Sequence, residues 1–106
     1  MSGAYIYIFG SHTGTLYIGV RSKLYLRVLQ HKEGTSEGFT ATYGCKRLLY
    51  FEGYEDIRSA IAREKQLKGW RRTKKLNLIR TINPEFKDIA QTCGWEMITV
   101  HEKMHP

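Results

Sequence analysis

The chain has 106 residues, 42% hydrophobic and 25% charged, which suits one packed domain and leaves little room for two. No apolar run reaches the about 18 residues a membrane span needs, and Met1-Ser2-Gly3-Ala4 does not begin a signal peptide, so a membrane protein and a secreted one are both disfavoured. Two cysteines, Cys45 and Cys93, make no disulfide framework, and the expectation is a reduced, cytoplasmic protein with a net charge of +7.

Residues Ala4 to Phe9 set Tyr5, Tyr7 and Phe9 against Ile6 and Ile8. Both faces are apolar or aromatic, the pattern of a strand covered on both sides. Gly10 to Gly14 is rich in turn formers, and Thr15 to Gly19 reads as a second strand, so the pair is predicted to be a β-hairpin. Ser22 is placed to cap a helix over about Lys23 to Lys32. Its Leu24, Arg27, Val28 and His31 share one face, and two of those four are polar where a buried stripe would be apolar.

Glu33 to Thr42 reads as a loop and Cys45 to Glu52 as a third strand. A helix is predicted over about Glu55 to Lys68, with Ile57, Ala60, Ile61, Glu64 and Leu67 on its apolar stripe and Gly69 at its end. A short helix over Thr73 to Arg80 carries Leu76, Leu78 and Ile79, and Asn83-Pro84 prevents its continuation. The order ββαβαα predicts an α+β domain with helices on a small antiparallel sheet, over residues 1–90. Residues 91–106 form a tail without a readable pattern.

Charge is segregated. From Lys65 to Arg80 there are basic residues and no acid. Lys65, Lys68, Arg71, Arg72, Lys74 and Lys75 are therefore candidates for contact with the phosphates of a nucleic acid, because such a field attracts polyanions. The alternative is a solvated helix face, which usually mixes both signs.

Glu64 on an apolar stripe needs a partner. It could hold a hard divalent cation, since Mg²⁺ often takes one or two protein carboxylates, or it could pair with Arg27 or a nearby lysine. Arg27 and His31 are i, i+4 neighbours; the first matches phosphate oxygens, and the second can donate or relay a proton near neutral pH. The bland readings are a snorkelling arginine and a histidine satisfied by a carbonyl. Tyr7 and Tyr17, on adjacent strands, can lie close together. A phenol is a base only when a nearby cation favours its ionised form, and aromatic residues also simply favour strands. Gly19 would admit a close approach by backbone or phosphate.

At these residues the chain resembles the GIY-YIG nuclease superfamily. Tyr5-Ile6-Tyr7 stands for the first motif with its glycine lost, and Tyr17-Ile18-Gly19 is the second motif intact. Arg27, His31, Glu64 and Asn83 match the family's arginine, histidine, metal-binding glutamate and late asparagine. Ala60 to Lys68 further resembles the small stand-alone bacterial members, which are similar in fold to the UvrC N-terminal nuclease domain. The resemblance implies a three-stranded antiparallel sheet flanked by helices and single-metal DNA hydrolysis with Mg²⁺ or Mn²⁺ on Glu64. It gives Tyr17 the role of general base, Arg27 that of stabilising phosphate charge, and Tyr7 and His31 that of positioning. Asn83 would fix the site by hydrogen bonds. A catalytically weak nucleic-acid-binding module, or an interaction subunit targeted by a protein partner, remains the alternative.

Overall fold

The computed structural model describes residues 3–22 and 47–92. Strand β1 (Ala4–Gly10) lies between β2 (Leu16–Arg21) and β3 (Arg47–Tyr54), antiparallel to both. Helices α1 (Ile57–Lys68) and α2 (Arg72–Arg80) and the short α3 (Ile89–Thr92) follow. The hairpin forms as predicted, with Tyr7 opposite Gly19 and Phe9 opposite Tyr17, and β2 runs two residues past the predicted Gly19. The third strand ends two residues later than its pattern suggested, and the start predicted at Cys45 lies outside the described residues. The predicted helix Lys23 to Lys32, Arg27, His31, the loop to Thr42, both cysteines and the tail from residue 93 lie outside the described residues.

Alternation sorts the strand residues onto two faces. Ala4, Ile6, Ile8 and Ile18 pack with Leu49, Tyr50, Ala60, Leu67 and Ile79, so α1 and α2 close one face. Tyr7, Phe9 and Leu48 join Ala90, with Tyr5, Tyr17, Phe51 and Ile89 against them, on the other. Central β1 is thus buried on both sides, as its doubly apolar pattern required.

On α1 the buried residues are Ala60 and Leu67. Ile57, expected on the stripe, is 45% exposed. It is the first residue of the helix, beside the N-cap, where Asp56 Oδ1 accepts from Ser59 N at 2.8 Å. Gly69 does end the helix, but in the right-handed region at φ −81°, so no left-handed cap demands glycine there.

The β1–β3 ladder carries a bulge: Ile8 faces Tyr50 while Phe9 faces Leu48, leaving Leu49 unmatched. Two side chains from the segment after α2 satisfy it. Asn83 Nδ2 donates to Leu49 O at 3.0 Å, and Asp88 Oδ1 accepts from Leu48 N at 3.1 Å. Asn83 also closes its own turn, donating to Lys87 O at 2.7 Å and accepting from Lys87 N at 3.0 Å. Within that turn Phe86 adopts φ 54°, a left-handed conformation costing roughly 1–2 kcal/mol, which its packing against the core holds in place.

A polar network on the helix-covered side was not anticipated. Glu52 accepts from Arg63 Nε and Nη2, both at 3.0 Å, from Tyr54 Oη at 2.6 Å, and from the Tyr50 hydroxyl in a very short hydrogen bond. Burial alone would raise the Glu52 pKa, but donation by Arg63, Tyr50 and Tyr54 outweighs it and holds the carboxyl below its ordinary range. Burial first, and the Glu52 hydrogen bonds second, push both tyrosine hydroxyls up. Arg63 also lies over the Trp70 ring, 5.2 Å from its centroid.

Candidate active site

Tyr7 occupies the middle of the central strand and is 1% exposed. Its partner across the ladder is Gly19, where a Cβ would come within 2.5 Å of Tyr7 Cζ and closer still to the hydroxyl. The space that glycine leaves is therefore filled by the Tyr7 ring itself; any larger residue at 19 displaces the phenol. Tyr17, two pairs further along, tilts toward Tyr7 with ring centroids 6.3 Å apart. The two phenols form one aromatic unit, as the hairpin predicted.

Tyr17 is on the edge strand, and this decides what it can reach. Its ring packs with the second cluster, yet it also lines an open groove of about 270 Å³ together with Leu16, Ile18, Lys68 of α1 and Lys75 of α2. The groove is where the aromatic face and the helix-covered face meet around β2. Lys68 ties Glu64 to this rim: its Nζ stands 3.2 Å from Glu64 Oε2, one helical turn back. The Glu64 side chain is 16% exposed. Tyr17 and Lys68 thus share the groove, with Tyr7 beside Tyr17 and Glu64 paired with Lys68.

Of the remaining cations, Lys75 is half-buried and Lys65, Lys68, Arg71, Arg72 and Lys74 are exposed. They do not share one direction. Lys74 sits 4.2 Å from the Trp70 ring centroid, in a cation–π contact. Arg72 reaches the β1–β2 turn, where a Cβ on Gly14 (φ +94°) would lie 2.9 Å from Arg72 Nη2. Helix α2 starts with no acidic residue in its first turn and no side-chain cap on Arg71, so its positive end adds to these cations.

Asn83 is not among these groups. Its hydrogen bonds go to Leu49 of β3 and to Lys87, and so it shapes β3.

No group of three or more His, Cys, Asp or Glu side chains converges among the described residues. A single carboxylate still suits Mg²⁺ or Mn²⁺ if water and phosphate supply the other ligands. Glu64 meets that requirement: Lys68 takes Oε2, and Oε1 has no hydrogen-bond partner among the described residues. The Glu52–Arg63 network offers no such oxygen, since both of its carboxylate atoms are engaged.

The sequence reading named the tyrosines, the glutamate and the lysines, but not the Glu52 network. One signal for it existed: Tyr50, Glu52 and Tyr54 alternate onto one face of β3, and a lone acid there requires a donor such as Arg63.

Comparison with known proteins gives the family. The GIY-YIG catalytic domain model matches residues 3–77. UPF0213 proteins of Staphylococcus aureus, from strains Mu3 and N315 among others, are 34% identical over 80 residues, covering 76% of this chain and 98% of theirs. The solution NMR structure of the UPF0213 protein BH0048 from Bacillus halodurans superposes with a TM-score of 0.54 at 22% identity, covering 84% of this chain and 95% of that one, a likeness of fold. Among the described residues no helix is long and apolar enough to cross a membrane. With its paired tyrosines, edge groove and helix-borne glutamate, the chain belongs to the GIY-YIG family and carries that family's nuclease-type catalytic domain.

Proposed function

We propose that this domain is a metal-dependent endonuclease hydrolysing DNA phosphodiester bonds at the β2 edge. The observation that carries the reading is that Tyr17 and Lys68 line one groove and that Lys68 is paired with Glu64. A phosphate entering there is neutralised by Lys68 and Lys75. Tyr17, which lines the groove, takes the proton of the attacking water as a phenolate and becomes the phenol, and Tyr7 beside it fixes the angle of the Tyr17 ring. Arg27 and His31, assigned by their motif positions, stabilise the phosphate charge and orient the water. Glu64 would hold Mg²⁺ or Mn²⁺ through Oε1, with Lys68 retained on Oε2 or released to the phosphate. When bound, the cation supplies charge stabilisation to the departing oxygen. Asn83 acts from a distance, by holding the β3 bulge against which β1 and Tyr7 register.

A second reading, a nucleic-acid-binding module with little turnover, is favoured by the Glu64–Lys68 ion pair, which a cation must share. Purified protein incubated with linear, flapped and forked DNA in Mg²⁺, Mn²⁺ or chelator separates the two. The endonuclease cuts at least one substrate with metal and none with chelator. Tight binding without cutting under any condition establishes the module instead.

A further inference from the structure

Arg72 is the one member of the basic run that contacts the β1–β2 turn through a glycine. Its guanidinium lies where a Gly14 side chain would be, and no acid or hydrogen-bond acceptor engages it among the described residues. The turn beneath it is braced. Ser11 N donates to Thr15 O at 3.0 Å, Gly14 N donates to Ser11 O at 3.2 Å, Ser11 Oγ accepts from Thr15 N at 3.0 Å, and Arg47 Nη2 donates to Ser11 O at 2.9 Å. Arg72 and Lys75 are i, i+3 on α2 and so share a helix face. Lys75 is on the wall of the Tyr17 groove, so that face is turned toward β2.

From these positions we infer that Arg72 at the β1–β2 turn forms a second phosphate position on the same strand of nucleic acid, beyond the phosphate held at Tyr17. Gly14 and Tyr17 are three residues apart, a span of at most about 10 Å. One strand of a duplex advances about 3.4 Å per nucleotide along its axis, so at that rise the two positions are at most about three nucleotides apart. A strand of at most about four nucleotides then fills both. The guanidinium fork suits phosphate oxygens, and the small Gly14 lets it approach the turn. Lys74, engaged with Trp70, lies off this track.

The inference rests on the proposed binding of nucleic acid at the groove, and its test is independent of turnover. Affinity for a length series of single-stranded DNA is measured in chelator, for the parent, Arg72→Ala and Lys74→Ala. Arg72 and Lys74 are exposed, and melting curves check that each variant is folded. The parent and Lys74→Ala show a step in affinity at or below about four nucleotides. Arg72→Ala lacks that gain, and its slope of log affinity against log salt is smaller by about one unit. An Arg72→Ala variant with the parental slope and length profile overturns the second position. Failure of the parent to cut DNA with metal, with the length step intact, overturns only the endonuclease reading.

Discussion

The two edge strands of the sheet are finished in opposite ways. Along β3, Asn83 and Asp88 satisfy the bulge at Leu48 and Leu49, and Glu52 gathers Arg63, Tyr50 and Tyr54 around a single carboxylate. Along β2, Lys75 and Arg72 face the groove and the turn without an acid, and Glu64 keeps one oxygen without a partner among the described residues. Polar groups engaged on all sides hold a fold. Cations left without acids beside a half-engaged carboxylate leave a place for a ligand that brings its own negative charge and its own metal. Under the proposed function one edge serves stability and the other chemistry, and substitutions at each edge separate the two.

The largest effect on rate outside the metal ligand is expected from Tyr17→Phe. Phenylalanine keeps the ring against Tyr7 and removes only the hydroxyl. Single-turnover cleavage falls by about two orders of magnitude or more, the usual scale of general base catalysis, with the melting temperature near the parent's. Tyr7→Phe loses less. Parental speed in Tyr17→Phe would make the tyrosine a packing residue and pass the proton to His31.

Glu52→Ala sharpens the comparison from the other edge. It leaves the Arg63 guanidinium and two tyrosine hydroxyls without their acceptor, at a cost of about 2–4 kcal/mol. For a domain of this size the melting temperature drops by about 10 °C or more, and cleavage per folded molecule is unchanged. The same network sets a pH window. Because the folded Glu52 pKa lies below its unfolded value, its contribution is present above the ordinary carboxylate range and is lost as pH falls through the folded pKa. The raised Tyr50 and Tyr54 contributions are present below about pH 10 and are lost as pH rises through their folded values. Parental stability varies less with pH between these limits than beyond them, and denaturant midpoints across pH, compared with Glu52→Ala, measure the difference.

Asn83→Ala orphans Leu49 O and Lys87 N, for about 1–3 kcal/mol. A fall in cleavage rate without a fall in melting temperature would return Asn83 to the reacting centre. The smallest expected effect separates two adjacent lysines. Lys75→Ala lowers the salt slope of DNA binding by about one unit, and Lys74→Ala, with its ammonium on Trp70, leaves it unchanged.

The parts of this contrast that were legible in the sequence are those set by period. Alternation in Tyr5 to Phe9 identified a strand buried on both faces, and helical periodicity put Glu64 on the stripe of α1 where it needed a partner, which Lys68 supplies. Helical periodicity said nothing about where α1 meets the sheet, so Ile57 was counted as core although it lies beyond the contact. The basic run read as one surface, but its members separate once Trp70 captures Lys74 and Gly14 admits Arg72. Asn83 was assigned to the site by its motif position. Its hydrogen bonds answer a bulge that the sequence did not reveal, because a bulge depends on the register of two strands far apart in sequence.

The most direct measurement is single-turnover DNA cleavage by Glu64→Gln at saturating protein, with binding followed on the same samples. Glutamine keeps the size of the side chain and removes the charge that would hold the cation. The exposed Lys68 pair contributes about 1 kcal/mol or less, so the fold is preserved. Cleavage below detection with DNA affinity close to the parent's is the predicted result. Metal-dependent cleavage by Glu64→Gln at the parental rate would contradict it.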